Sequence, residues 1–283
     1  MTAQIINGKE LSKKKREEMK REVEMLKQQG ITPGLAVIIV GNDPASQTYV
    51  RGKQRACEEI GIRSLLIEMD EHASEEQLLA KIDELNNDDS IDGILVQLPL
   101  PEQINEQAVI ERISPNKDVD GFHPINIGKM MTGQDCFLPC TPHGIIEMVK
   151  SNEIDIQGKH VVVVGRSNIV GKPVGQLFLN EHATVTYCHS RTKDLKAYTS
   201  QADILIAAAG KQHLIQKEHV KQGATVIDVG IHRLEDGSLT GDVHFEQVKE
   251  KAAYITPVPG GVGPMTITML LHNTILSAKR FRK

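Results

Sequence analysis

A phenol and an amine stand four residues apart in the string Tyr49-Val-Arg-Gly-Lys53. On a helix that spacing puts both on one face. An exposed pair of this kind is ordinarily a solvated face. Three other features point toward chemistry. Gln97 ends an otherwise apolar run, Gly93-Ile-Leu-Val-Gln97-Leu-Pro-Leu-Pro101, and open α/β sheets place ligands beyond the carboxyl ends of their strands. Asp120 lies in Asp118-Val-Asp120-Gly121-Phe-His-Pro, where its bland alternative is an Asx turn before glycine. Finally, Thr256-Pro-Val-Pro259-Gly260-Gly261-Val262-Gly263-Pro264-Met-Thr266 reads as a stiff loop ahead of the last helix. Such a loop suits backbone contact with a flat ligand.

A second constellation is built for phosphate. Val161–Val164 is an all-valine strand, followed by Gly165-Arg166-Ser167-Asn-Ile-Val170-Gly171-Lys-Pro173. Gly165 permits a tight exit, Gly171 lets the backbone come close, and the helix N-terminus behind them offers N–H groups to a phosphate. Pro173 fits the first helical turn. The end of the next strand selects the cofactor. An NAD site usually carries Asp or Glu there. This chain has His189-Ser190-Arg191-Thr192, about 25 residues beyond Gly165. A hydroxyl and a guanidinium suit a 2′-phosphate, and Arg166 adds a second charge. The pattern favours NADP over NAD; the competing reading of both arginines is solvated surface charge. Ala207–Gly210 and Asp228-Val-Gly230-Ile231 close later strands with small residues, where the fold faces its cofactor. Plain turn chemistry would produce the same residues.

Helix and strand patterns alternate along the chain to position these groups. Lys9–Gln29 predicts an exposed helix stopped by Gly30, Leu35–Val40 a buried strand, and Ala45–Ile60 a helix ended by Gly61. Leu65–Met69 and Gly93–Gln97 are further strands. Ser74-Glu-Glu-Gln77 is a capping box, and a short helix is expected near Glu106–Ile113. Ser114–Pro142 reads as an irregular functional linker, and Pro142–Lys150 as a connecting helix. The second half predicts strands at Val161–Val164, Thr184–Cys188, Ile204–Ala208, Thr225–Val229 and Tyr254–Ile255. Helices are expected at Val170–Asn180 and from about Met265 to Arg280. The sum is an α/β fold of two domains, each with a mainly parallel sheet. The first spans residues 1–140 and is completed by a C-terminal helix at about 265–283. The second, a Rossmann-like domain, spans 141–264.

Composition sets exclusions. Of 283 residues, 40% are hydrophobic and 25% charged, as in a globular protein rather than a disordered tail. The net charge is −4, from 33 basic and 37 acidic residues. Without a basic surplus, and with only 3% aromatics, nucleic acid and anionic membrane are not expected partners. Four cysteines without CxxC spacing read as reduced thiols, and no apolar run reaches a membrane span or a signal sequence. The cytoplasm is the expected compartment. His123, His143 and His189 receive no role, and Met130, Met131, Met265 and Met269 read as packing.

The chain resembles the bifunctional methylenetetrahydrofolate dehydrogenase/methenyltetrahydrofolate cyclohydrolases over nearly its whole length. The strings that carry the resemblance are Pro44-Ala-Ser-Gln-Thr-Tyr49-Val-Arg-Gly-Lys53, Gln97-Leu-Pro-Leu-Pro101, Lys117-Asp-Val-Asp120-Gly-Phe, Gly165-Arg-Ser with Val170-Gly-Lys-Pro173, and Pro257-Val-Pro-Gly-Gly-Val-Gly-Pro264. It implies oxidation of 5,10-methylenetetrahydrofolate with NADP, then hydrolysis of the methenyl cation to 10-formyltetrahydrofolate, in one-carbon metabolism and without a metal. It also implies a homodimer, and a folate domain and an NADP domain facing each other across a cleft.

The implied sites follow. Lys53, Tyr49 and Gln97 are catalytic. Tyr49, Asp120, Pro259, Gly260, Gly261 and Val262 bind substrate. Gly165, Arg166, Ser167, Gly171, Ser190, Arg191 and Ile231 bind the cofactor. A charged lysine would repel a developing cation, so Lys53 is expected to work with a lowered pKa, bonded to Gln97 and partly desolvated. Tyr49 packs on the folate and orients Lys53, while Asp120 accepts paired N–H groups of the pterin edge. Two other readings remain: a monofunctional NAD(P) dehydrogenase, and a non-catalytic NADP-binding redox sensor.

Overall fold

The computed structural model describes residues 2–282. The chain runs β1 (Gln4–Ile5), α1 (Gly8–Gln28), β2 (Gly34–Val40), α2 (Pro44–Ile60), β3 (Arg63–Met69), α3 (Glu75–Asn86), β4 (Gly93–Val96), α4 (Glu106–Arg112), α5 (Pro124–Met131) and α6 (Cys140–Ser151). It continues with β5 (His160–Val164), α7 (Gly171–Asn180), β6 (Thr184–Cys188), α8 (Leu195–Thr199), β7 (Ile204–Ala207) and β8 (Thr225–Asp228). The last elements are β9 (His232–Arg233), β10 (Leu239–Thr240), α9 (Phe245–Val248), β11 (Tyr254–Ile255) and α10 (Val262–Phe281). Two compact units result. One joins the residues up to Lys13 with Thr141–Thr266; the other joins Lys14–Cys140 with the residues from Ile267 on.

The second of these units holds a three-stranded sheet, ordered β3-β2-β4 and wholly parallel. β2 is buried along its entire length, so its sequence is a continuous apolar run rather than an alternation. Ala36, Ile38, Leu78, Ile82, Ile94 and Val109 pack one core there. Helix signals act where the sequence puts them. Asp43 caps α2 by accepting the Ser46 N–H at 2.7 Å, with Pro44 in the first turn. Gly61 closes the helix at φ 86°. The Ser74/Gln77 capping box opens α3.

The other unit holds a parallel six-stranded sheet, ordered β1-β11-β8-β7-β5-β6. β5 is the turning point: the chain adds β6 on one side, then crosses to add β7 on the other. That reversal opens a crevice beyond the carboxyl ends of β5 and β7.

Several local expectations need correction. The linker at 114–142 is not wholly irregular, because α5 forms within it. Pro124 starts that helix, and Nδ1 of His123 accepts the Ile125 N–H at 3.1 Å. The loop before the last helix ends early, since α10 already begins at Val262. A β9/β10 hairpin and the short helices α8 and α9 were not anticipated. Nor was β1, which pairs in parallel with β11 and so brings the first residues into the six-stranded unit. Among the described residues, no helix is long and apolar enough to cross a membrane.

A carboxylate fastens the C-terminal end of the chain to the three-stranded unit. Asp92 accepts the Gly34 N–H at 2.7 Å and takes both arms of Arg282 at 2.6 Å. Arg282 also reaches the Thr32 carbonyl at 3.2 Å. Arg282→Ala strands a buried carboxylate. It is expected to lower stability by about 2 kcal/mol, read as a shift in the urea midpoint. Arg282→Lys restores only part, because an ammonium cannot make two parallel bonds.

Candidate active site

In the three-stranded unit, α2 begins after the carboxyl end of β2 and carries Tyr49 and Lys53 one turn apart. Gln97 follows β4, its backbone N–H still bonded to the Ile38 carbonyl at 2.8 Å. The side-chain amide of Gln97 has a fixed orientation. Its Nε2 donates to the Leu98 carbonyl at 2.6 Å, which turns Oε1 to Lys53 Nζ at 3.0 Å. The lysine donates this bond whether charged or neutral. Burial lowers the pKa of Lys53, opposed chiefly by the charge of Asp120. Asp120 moves the other way: burial raises it, opposed by Lys53. Each group is driven toward its neutral form by loss of water. Tyr49 remains 40% exposed, enough to offer its ring to a ligand.

Asp120 owes its position to a buried neighbour. Asp118 accepts the N–H groups of Phe122 at 3.1 Å and His123 at 2.9 Å, and the Asn126 amide at 2.8 Å. These bonds close the loop around Asp120. Gly121, at φ 74°, presses so near the Leu138–Pro139 backbone that a Cβ would sit 2.6 Å from it. The chain is therefore bent so that Asp120 and Cys140 meet, with the Cys140 N–H donating to the Asp120 carbonyl at 3.3 Å.

Cys140 and Asn273 were not singled out by sequence. The Asn273 amide donates to the Val119 and Leu138 carbonyls at 2.8 and 3.0 Å. The Cys140 thiol lies 3.2 Å from the Val119 carbonyl and is a hydrogen-bonding neighbour of Asp120. Burial, reinforced by the Asp120 charge, raises the Cys140 pKa well above the usual thiol range. It is a neutral thiol and a poor nucleophile. No spacing signal marks either residue, since both act through tertiary contact. The set can thus shuttle a proton at Lys53 and accept N–H donors at Asp120, without covalent chemistry.

The six-stranded unit collects the residues expected to bind the cofactor beyond the carboxyl ends of its strands. Gly165 leaves β5 at φ 134°, and a Cβ there would lie 2.0 Å from the Ala208 carbonyl oxygen. A Cβ on Gly171 would lie 2.6 Å from the Gly165 oxygen. Both positions therefore exclude a side chain. The expectation of free N–H groups at the start of α7 needs correction. Ser167 Oγ takes those of Val170 and Gly171 at 3.2 and 3.1 Å, and the Ser167 carbonyl takes that of Lys172 at 3.0 Å. The cations remain available. Arg166 and Arg191 are exposed, as are Ser167 and Ser190, and among the described residues neither arginine forms an ion pair. A turn holds the second pair, with the Arg191 N–H on His189 Nδ1 at 3.1 Å and the His189 N–H on Thr192 Oγ1 at 2.9 Å. Ile231, beyond β8, is 45% exposed. A glycine cradle with two unpaired arginines fits a phosphorylated dinucleotide.

Pro259, Gly260, Gly261 and Val262 also belong to this unit. The Gly260 carbonyl accepts the Lys9 N–H at 2.9 Å, and a Cβ on Gly8 would lie 1.9 Å from the Gly261 oxygen. The first turn of α1 is thus laid directly on the loop.

Comparison with known proteins places both halves of the chain in one family. A family model described as tetrahydrofolate dehydrogenase/cyclohydrolase, catalytic domain, matches residues 6–120, and its NAD(P)-binding counterpart matches 139–282. The bifunctional protein FolD of Bacillus cytotoxicus is 67% identical over 280 residues, covering 99% of this chain and 98% of that protein. The crystal structure of the FolD methylenetetrahydrofolate dehydrogenase/cyclohydrolase from Campylobacter jejuni superposes with a TM-score of 0.97 at 54% identity, covering 98% of this chain and 99% of the other. The Trypanosoma brucei enzyme, solved with NADP cofactor and inhibitor, gives a TM-score of 0.95 at 40% identity, covering 99% and 98%. With its two halves matched in order and its length spanned by these relatives, the chain belongs to the tetrahydrofolate dehydrogenase/cyclohydrolase family.

Proposed function

We propose that this protein oxidises 5,10-methylenetetrahydrofolate to the methenyl form with NADP and then hydrolyses that product to 10-formyltetrahydrofolate. The observation that carries the hydrolytic half is the partly buried Lys53 amine held 3.0 Å from Gln97 Oε1. The product of oxidation is a cation, and a charged ammonium beside it would be repelled. A neutral amine is tolerated there. It can take the proton of an attacking water and return it to the departing ring nitrogen. Gln97 directs the amine, and Tyr49 lends a ring face to the folate. Asp120 accepts two adjacent N–H groups of the pterin; those donors favour its charged form and offset the cost of burial.

NADP, when bound, supplies the hydride acceptor. The residues that would hold it are Gly165 and Gly171, by close backbone approach, and Arg166, Ser167, Ser190 and Arg191, by charge and hydroxyl. Ile231 offers an apolar surface to the ring. Pro259, Gly260, Gly261 and Val262 complete the substrate contacts in this reading. A homodimer, as the family resemblance implies, and the cytoplasm as compartment belong to the same proposal. Four free cysteines, three of them buried, are in keeping with a reducing compartment.

Lys53→Ala is expected to reduce methenyl hydrolysis roughly 10²- to 10⁴-fold while much of the dehydrogenase activity survives. Assays of both half-reactions check this. Equal loss of both would make Lys53 a binding residue and favour a monofunctional dehydrogenase. Absence of any NADPH signal at 340 nm from folded wild type would favour the sensor reading.

The pH profile gives a second check. The working amine is neutral, so hydrolytic kcat/KM should fall as pH falls through the Lys53 pKa. Because burial lowers that pKa, the limb should lie below the ordinary lysine value of 10.5. It should vanish in Lys53→Ala. A flat profile across this range would contradict the role.

A further inference from the structure

The cofactor reading leaves unexplained a pair of buried acids and a half-buried histidine in the six-stranded unit. Asp242 is fully buried. Its Oδ2 accepts the backbone N–H groups of Ala209 at 2.6 Å and Gly210 at 2.9 Å, in the turn that follows β7. Its Oδ1 lies 2.8 Å from His232 Nε2. His232 directly follows Ile231 and starts β9, where it pairs with Thr240 of β10. One carboxylate therefore ties together the chain ends leaving β7 and β8.

A second carboxylate fixes the first. Asp228, the last residue of β8, accepts the backbone N–H groups of Gly230, Asp242 and Val243 at 3.0, 2.9 and 3.0 Å. Two glycines make room. A Cβ on Gly230 would lie 2.3 Å from Asp242 Oδ1, and one on Gly241 would lie 1.9 Å from Asp228 Oδ2. A buried carboxylate unable to pair would be costly, so this arrangement is over-determined. Ala209, Gly210 and Ile231, which it holds in place, are all exposed. They surround the carboxyl ends of β7 and β8.

That location has a meaning in a doubly wound sheet. The dinucleotide lies across the reversal point, one nucleotide on each half. Ser190 and Arg191 follow β6, on the side suited to the 2′-phosphate. The ends of β7 and β8 then fall to the nicotinamide half. We propose that Asp242 and His232 are positioning residues that set the nicotinamide-side rim of the cofactor site, holding Ala209, Gly210 and Ile231 for contact with the ring. The proposal rests on the reading of this unit as the NADP site. Neither residue reacts. The His232 ring gives the buried carboxylate a hydrogen-bond partner, and the carboxylate orders the two backbone segments.

The test is direct binding of NADPH to the full-length protein, by the change in its own fluorescence, beside assays of both half-reactions. His232→Ala is expected to raise the NADPH Kd about 5- to 20-fold and the dehydrogenase KM for NADP in parallel, with the cyclohydrolase kcat/KM within about twofold of wild type. His232→Gln, which keeps an N–H donor, should recover most of the affinity. Asp242→Asn keeps an oxygen for the two backbone groups while changing what faces His232, and should shift Kd in the same direction. An unchanged Kd in both His232→Ala and Asp242→Asn overturns the proposal. So does a parallel loss of both activities, which a general structural role would produce. Failure of wild type to bind NADPH overturns the cofactor reading itself, and the proposal with it.

Discussion

A lysine amine partly withdrawn from water is the constraint around which the candidate site of the three-stranded unit is arranged. An ammonium in that position is disfavoured by burial, and the charge of Asp120 only partly restores it. The surrounding structure therefore has to supply a neutral hydrogen-bond acceptor rather than a full counter-ion. Gln97 is such an acceptor, and its orientation is set by its own bond to the Leu98 carbonyl. A glutamate at position 97 would hold the amine charged. The amide accepts from the amine without adding a charge that would oppose the lowering of its pKa.

The rest of the fold brings main chain close to main chain so that these groups have fixed places. Gly121 allows the loop carrying Asp120 to touch the Leu138–Pro139 backbone. Gly165 and Gly171 do the same at the turn beyond β5, where side chains would displace the Ala208 and Gly165 oxygens. Buried carboxylates do complementary work. Asp118, Asp228 and Asp242 each collect two or more N–H groups that loops would otherwise leave unsatisfied. Irregular backbone near both sites is held in this way without long side-chain bridges.

Much of this was legible in the sequence, for physical reasons that differ by element. β2 and β5 read clearly because a strand covered on both faces is a continuous apolar run. α2 and α3 declared their ends through Asp43-Pro44, Gly61 and Ser74/Gln77. The Lys53–Gln97 bond could be anticipated only by uniting two distant strings, and it is present. α5 hid in a Pro-, Gly- and Asn-rich stretch, although His123-Pro124 was a usable start signal. The β9/β10 hairpin was marked by Asp236-Gly237, with Gly237 at φ 83°, an ordinary hairpin cue that was passed over. β1 left no trace, because two residues cannot establish a period and its pairing partner lies at the far end of the chain. Cys140, Asn273 and Asp242 were equally silent. What each does is defined by neighbours remote in sequence.

The most direct measurement is the titration of the Lys53 side chain itself, by isotope-edited NMR of the enzyme with folate bound. The account predicts a pKa below 10.5, with an appreciable neutral fraction over the pH range in which hydrolysis proceeds. A lysine that stays fully protonated throughout that range would contradict it.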